Sequence, residues 1–350
     1  MFGISLYFTN SLEENIRILE MVSSFEVSMV FTSLHMPEQD YGNVLYDLKV
    51  IAEFCHHHKI SIIADVSKKT LEYMHIKTIE ELMGLGISCV RLDYGFTEDE
   101  IINLSQRYQV MINASNISRE SLNKMLTRGL NASNVIACHN YYPKKYSGLN
   151  KDYVRDQNRM IHDFGIKTMG FVPGDDKLRG PLFLGLPTIE SHRYIDPVQG
   201  AIELKFDLGC DYVFVGDISC QSSCYSKLNK IGMGILPLEV EISDYHYREV
   251  LKDYIFNGRY DYSDYTVRCN PSRSDPLLNV RPNPVEYQGI IHTGDIYVTN
   301  TENPRYLNEI EIAKRDLVHM EDVNIIGHVK GKSISNLEYL IYDAKFEFEQ

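Results

Sequence analysis

The 350 residues carry 48 acidic against 35 basic side chains, a net charge of −13, with 44% apolar and 24% charged residues. This composition folds around a core and excludes disordered, collagenous and low-complexity chains. The acidity disfavours nucleic acid and anionic membrane as partners, and no apolar run reaches the ~20 residues of a membrane span; a small phosphorylated ligand held by a few arginines stays compatible with it.

From residue 3 to residue 217 one unit recurs: a short apolar, β-branched run, then an amphipathic stretch one helix long. The runs are 3–7, 29–34, 60–66, 89–94, 110–115, 134–139, 167–172 and 212–216, with helices expected over 12–24, 43–58, 68–85, 97–107, 118–129, 151–164 and 196–208. Ser11, Thr78 and Thr97 each precede an acid by three residues, the spacing of a capping box. Ser118 opens another helix, and Gly129 and Gly209 stand where helices should stop. Strands alternating with helices imply parallel pairing through right-handed crossovers. Eight such units predict a (β/α)8 barrel. A doubly wound open sheet is the alternative, but the first turn, Tyr7 to Ser11, has no glycine-rich phosphate loop.

Beyond about residue 230 prolines cluster and the period changes to two, in 238–242, 296–299, 309–313, 323–327 and 345–349. This predicts a small antiparallel β domain, a small barrel, over 236–350, after a catalytic barrel over 1–230. The serines and glycines of 221–236 suggest the linker. Seven cysteines, an odd and low number, with no signal peptide at the N-terminus, are expected as reduced thiols in a cytoplasm.

A barrel of this kind keeps its active site at the C-terminal strand ends. Those ends are Tyr7, Ser33, His35, Asp65, Arg91, Asp93, Asn113, Ser115, His139, Asn140, Tyr142, Pro173 and Asp217, a polar rim above apolar strands. Carboxylates clustered in partial burial have their pKa values pushed apart, which suits acid–base work. Asp93 follows Arg91 on one strand face, so a structural ion pair is the plain alternative; for Asp217 it is a helix cap or a loop-closing role. The loop 138–149 mixes aromatic rings with Lys144 and Lys145, and the loop 173–193 runs about 20 residues without an expected element. Glu190 in the second loop is either a further catalytic acid or a helix-start acid. His56, His57 and His58 are consecutive and cannot share one metal from one helix face, so no metal site is expected there.

Several segments together carry a family resemblance. They are Cys138-His-Asn-Tyr-Tyr-Pro with Ser147-Gly-Leu149, Leu178-Arg-Gly-Pro-Leu with Gly185-Leu-Pro-Thr-Ile-Glu-Ser-His-Arg193, Ala64-Asp-Val-Ser67, and Val90-Arg-Leu-Asp-Tyr-Gly-Phe96. Over nearly its whole length the chain resembles the 6-phospho-N-acetylmuramidases of firmicutes (MupG type, glycoside hydrolase family 170). The resemblance implies a barrel followed by a cyclophilin-like β domain. It also implies cytoplasmic hydrolysis of the β-1,4 bond of N-acetylmuramic acid 6-phosphate–N-acetylglucosamine during peptidoglycan recycling.

For such a substrate, Asp65, Asp93 and Glu190 form the expected pool of catalytic carboxylates, with Asp217 in reserve. Tyr7, Arg91, Asn113, His139, Asn140 and Tyr142 are expected around the sugar, and Arg179 and Arg193 on its anionic groups. Arg268, Arg273 and Arg281 of the second domain are weaker candidates for the same role. No cofactor is expected, and a homodimer is an open possibility. Two rivals stand beside this reading. One is a metal-dependent sugar-phosphate isomerase or aldolase with Asp65, His139 and Asp217 as ligands. The other is a non-catalytic carbohydrate-binding protein.

Overall fold

The computed structural model describes residues 1–34, 43–285, 289–318 and 320–350, which divide into two compact units, Met1–Met233 and Gly234–Gln350. Among the described residues, no helix is long and apolar enough to cross a membrane.

The first unit holds eight parallel strands: β1 (Phe2–Leu6), β2 (Met29–Ser33), β3 (Ser61–Val66), β4 (Cys89–Leu92), β5 (Gln109–Asn113), β6 (Val135–Cys138), β7 (Lys167–Val172) and β8 (Tyr212–Val215). Each pairs with the next, and β8 returns to β1, so the sheet is a closed barrel and not an open doubly wound one. Alternate residues face inward. The inward rows are Met29 and Phe31, Ile63, Cys89, Met111, Ile136 and Cys138, Met169 and Phe171, Tyr212 and Phe214, packed as one cluster. Gly3 makes room for them: a Cβ there would stand 2.3 Å from the Phe214 ring.

The outer helices are α1 (Leu12–Ser23), α2 (Val44–His57), α3 (Lys68–Tyr73), α4 (Ile79–Met83), α5 (Glu98–Ser105), α6 (Arg119–Thr127), α7 (Lys151–His162), α8 (Pro197–Ile202) and α9 (Ser222–Gly232). The hydroxyls of Ser11, Thr78, Thr97 and Ser118 cap α1, α4, α5 and α6, as their spacing predicts. The single helix expected over 68–85 is two, because Thr78 starts a new cap inside it. The expected linker over 221–236 is corrected more fully. Cys224, Tyr225, Leu228 and Ile231 form a helical stripe that α9 buries, so its serines belong to a helix of the barrel unit.

The second unit contains β9 (Ile235–Ile242), β10 (Ile255–Asn257), β11 (Thr266–Arg268), β12 (Asp295–Thr299), β13 (Ile310–Ala313), β14 (Val323–Val329) and β15 (Lys345–Glu349). Their order is β10-β15-β9-β14-β12-β13-β11, antiparallel except for the parallel pair β15–β9. An antiparallel bridge between Asn257 and Asn270, with both N–H···O distances at 3.0 Å, joins the two ends of that order. All seven cysteines are free and buried, six in the barrel unit and Cys269 in the second.

Candidate active site at the barrel rim

The inward rows that are apolar inside the barrel turn polar at its C-terminal end. Ser33 continues the row of Phe31, Asp65 that of Ile63, and Arg91 and Asp93 that of Cys89. Asp65 and Arg91 are register partners on β3 and β4. Around them lies a cavity of about 340 Å³, lined by Phe31, Ser33, Asp65, Arg91, Asp93, Cys138, His139, Asn140, Tyr141, Tyr142, Phe171 and Arg179. His35 falls outside the described residues.

Arg91 is the electrostatic centre. Its Nη1 donates to Asp65 Oδ1 at 2.9 Å and stands 3.9 Å from Asp93 Oδ2, and its Nη2 donates to Asn140 Oδ1 at 2.5 Å. The pair partner is therefore Asp65, and Asp93 is the looser neighbour. Both side chains of the tight pair are nearly sealed, at 7% and 6% exposure, whereas Asp93 keeps 35%. Burial disfavours the charge of the guanidinium, but the carboxylates of Asp65 and Asp93 more than offset it and raise its pKa. The two carboxylate oxygens that flank Nη1 lie within about 7 Å of each other, close enough to bracket one glycosidic bond.

Arg179 faces this group across the cavity. Its guanidinium lies 4.8 Å from the centre of the Tyr7 ring and 6.0 Å from that of Tyr141, and its Nη1 donates to the Tyr141 hydroxyl at 3.4 Å. Tyr141 in turn packs edge-on against Phe31 and Phe171, and burial raises its pKa. The Tyr7 hydroxyl donates to the Gly216 carbonyl and is fully buried beneath Arg179, so Tyr7 supports the site from below.

His139 is held from both sides. Its Nε2 meets Asn158 Oδ1 at 2.9 Å, and because Asn158 Nδ2 is already donating to the Leu208 carbonyl, the imidazole carries its hydrogen on Nε2. Nδ1 then accepts from Ser115 Oγ at 3.4 Å, and Ser115 Oγ accepts the Asn140 N–H at 2.9 Å. Asn113 Oδ1 accepts the Ser115 N–H. Asn113 and His139 thus orient Asn140, which orients Arg91; neither nitrogen of His139 is left for a sugar or a metal. Burial lowers its pKa to about 4.

Three expected acids and cations take structural roles. The Asp217 carboxylate accepts the backbone N–H groups of Gly174, Arg179 and Leu186, each at 2.9 Å, so it pins the loop that carries Arg179. Burial raises its pKa even against those three donors. Arg193, with a side chain 1% exposed, donates to the carbonyls of Tyr142, Lys144, Leu184 and Gly185 and grips Glu190 through Nε and Nη2 at 2.8 Å. Glu190 also accepts the N–H groups of Tyr146 and Gly148. Arg193 and these backbone donors lower its pKa to about 2. A carboxyl so firmly ionised cannot hold the proton that a leaving oxygen needs, and Arg193 has no donor to spare for an anion.

The metal reading fails on the same bonds: Asp65 is taken by Arg91, His139 by Asn158 and Ser115, and Asp217 by three backbone amides. Among the described residues, no group of three or more His, Cys, Asp or Glu side chains is placed to hold a metal ion. His58 stacks on Phe54 at 4.0 Å and is the C-cap of α2.

A family model for the N-terminal part of 6-phospho-N-acetylmuramidase matches residues 2–230, and the model for its C-terminal part matches residues 236–349. The chain belongs to the 6-phospho-N-acetylmuramidase family. That family is one of glycoside hydrolases, and the chain is an enzyme of that class. A conserved Enterococcus faecalis protein of unknown function is 25% identical, over 100% of this chain and 96% of its own, with a TM-score of 0.72. An uncharacterized B. cereus protein is 23% identical, over 100% and 99%, with a TM-score of 0.79. Both share the fold. No curated protein matches the chain.

Within the stretch that matches the C-terminal part of 6-phospho-N-acetylmuramidase, Arg268 and Arg273 both pair with Glu309, at 3.1 and 3.5 Å, and Arg273 also covers the Tyr306 ring. The Arg281 N–H donates to Asn308. These arginines bond to neighbours inside the second unit. What sequence reasoning missed is the cavity floor: Phe31, Cys138 and Phe171, legible from inward parity, and Tyr141, which is not, because the chain leaves the strand register after Cys138.

Proposed function

We propose that this chain hydrolyses the β-1,4 bond between N-acetylmuramic acid 6-phosphate and N-acetylglucosamine, in the cytoplasm, on disaccharides recovered from cell-wall peptidoglycan. One observation carries the reading: two carboxylates and two arginines converge on one cavity, at the rim of a barrel that matches the family throughout. A volume of about 340 Å³ suits one phosphosugar. Arg179, its plane set by Tyr7 and Tyr141, is the anchor for the phosphate, since a guanidinium binds phosphate bidentately. Asn140 and Tyr142 orient the ring.

Asp65, locked to Arg91 away from water, supplies the negative charge beneath the oxocarbenium-like transition state. Asp93, at 3.9 Å from the same guanidinium and 35% exposed, is the candidate acid for the leaving oxygen and base for the attacking water. Free, buried thiols fit a reducing compartment.

The test is incubation with the phosphorylated disaccharide and chromatography of the products. The protein should release both monosaccharides, and the unphosphorylated disaccharide should be cut far more slowly. Asp65→Asn and Asp93→Asn should each lower kcat by about a thousandfold with the circular dichroism spectrum unchanged. Full activity in both variants would remove these acids from the mechanism. A disaccharide bound but left uncut would make the chain a binding protein.

A further inference from the structure

The loops 138–149 and 173–193 each present one large aromatic ring to water. Tyr146 is 84% exposed and Phe183 is 61% exposed. Both have left-handed backbone, φ +64° and +52°, a conformation that strains a bulky L-residue and that glycine would adopt freely. Tyr146 is the third residue of a turn closed by the Ser147 N–H on the Lys144 carbonyl at 3.3 Å, and Phe183 closes a turn onto the Arg179 carbonyl at 3.2 Å. Neither ring recovers the cost by burial.

Both backbones are nonetheless fixed by one ion pair. Glu190 accepts the Tyr146 N–H at 2.8 Å, and Arg193 donates to the carbonyl of Leu184, next to Phe183, at 3.1 Å. Strain that the surroundings hold in place, at exposed rings on the two loops that also bring Tyr142 and Arg179 to the cavity lining, points to use. The Phe183 ring lies over Gly180, whose Cβ position is 3.0 Å from it, and Gly180 follows Arg179 of the cavity lining.

We infer that Phe183 and Tyr146 form an aromatic wall outside the cavity that receives the leaving sugar. The inference rests on the proposed disaccharide substrate and adds the residues that select its second ring. The cavity, with its arginines, takes the anionic sugar. The sugar beyond the scissile oxygen is neutral, and its apolar ring face packs on rigid aromatic faces while its edge hydroxyls stay in water.

Phe183→Ala should lower kcat/KM for the disaccharide about tenfold, the loss of one good aromatic contact. It should weaken product inhibition by N-acetylglucosamine to match and leave inhibition by N-acetylmuramic acid 6-phosphate within about twofold of wild type. Tyr146→Ala should act in the same direction, and Phe183→Tyr should restore the wild-type values. Unchanged kcat/KM and unchanged N-acetylglucosamine inhibition in both alanine variants would overturn the wall. So would an equal loss of both inhibitions, which is general loop damage, or a change of oligomeric state with sugar inhibition intact. A wild-type protein that leaves the disaccharide uncut would remove the substrate reading itself, and the wall with it.

Discussion

Burying an imidazolium costs far more than burying a neutral ring, and His139 is sealed with both nitrogens bonded. Its pKa in the folded protein is about 4 against an ordinary 6.5. Between those values the unfolded chain binds the proton and the folded chain does not. Stability therefore rises with pH through that window, is complete above about 6.5, and is lost as pH falls toward 4, by up to roughly 3 kcal/mol for this one residue. Denaturant midpoints between pH 4 and 7 should show a shallower slope for His139→Gln than for wild type; equal slopes would mean that His139 does not carry the effect. The same residue marks the reach of sequence reading. Its place at a strand end was visible, and its job was not, since Asn158 and Ser115 approach it from α7 and from the loop after β5. Asp65 and Asp93 were easier: a period of two puts each above an apolar row that leads straight into the barrel.

At the scale of elements, the ion pair Glu190–Arg193 turns two long loops into one body. A parallel bridge between Leu149 and Ile189 already joins the loops, and Arg193 adds to it by binding carbonyls on both. Glu190→Gln should lower stability by about 3 kcal/mol at neutral pH, the cost of leaving a buried guanidinium short of its counter-charge. Chemical denaturation at pH 7 measures it. Because the folded pKa of Glu190 is depressed, that contribution is present above about 4.5 and disappears as pH falls toward 2. The two curves should therefore converge in acid. The pairing had a signal in the sequence, an acid and an arginine three apart; the functional look of the loop outweighed it. Helix α9 was hidden for the opposite reason. Serine-rich composition argued for a linker, while Tyr225, Leu228 and Ile231 kept helical spacing beneath it.

Across the whole molecule the barrel was the most legible part, because eight repeats of one pattern each support the others. In the second unit the longer strands announced themselves by alternation. β10 and β11, three residues each, are too short to show a period, and alternation says nothing of direction, so the parallel pair β15–β9 was out of reach. The distribution of thiols gives the two units separate reporters. A maleimide reagent should leave the native protein almost unmodified and then mark whichever unit opens first. Peptide mass spectrometry along a denaturant series would read Cys269 against the other six, so that one sample yields two unfolding curves with no label engineered into it.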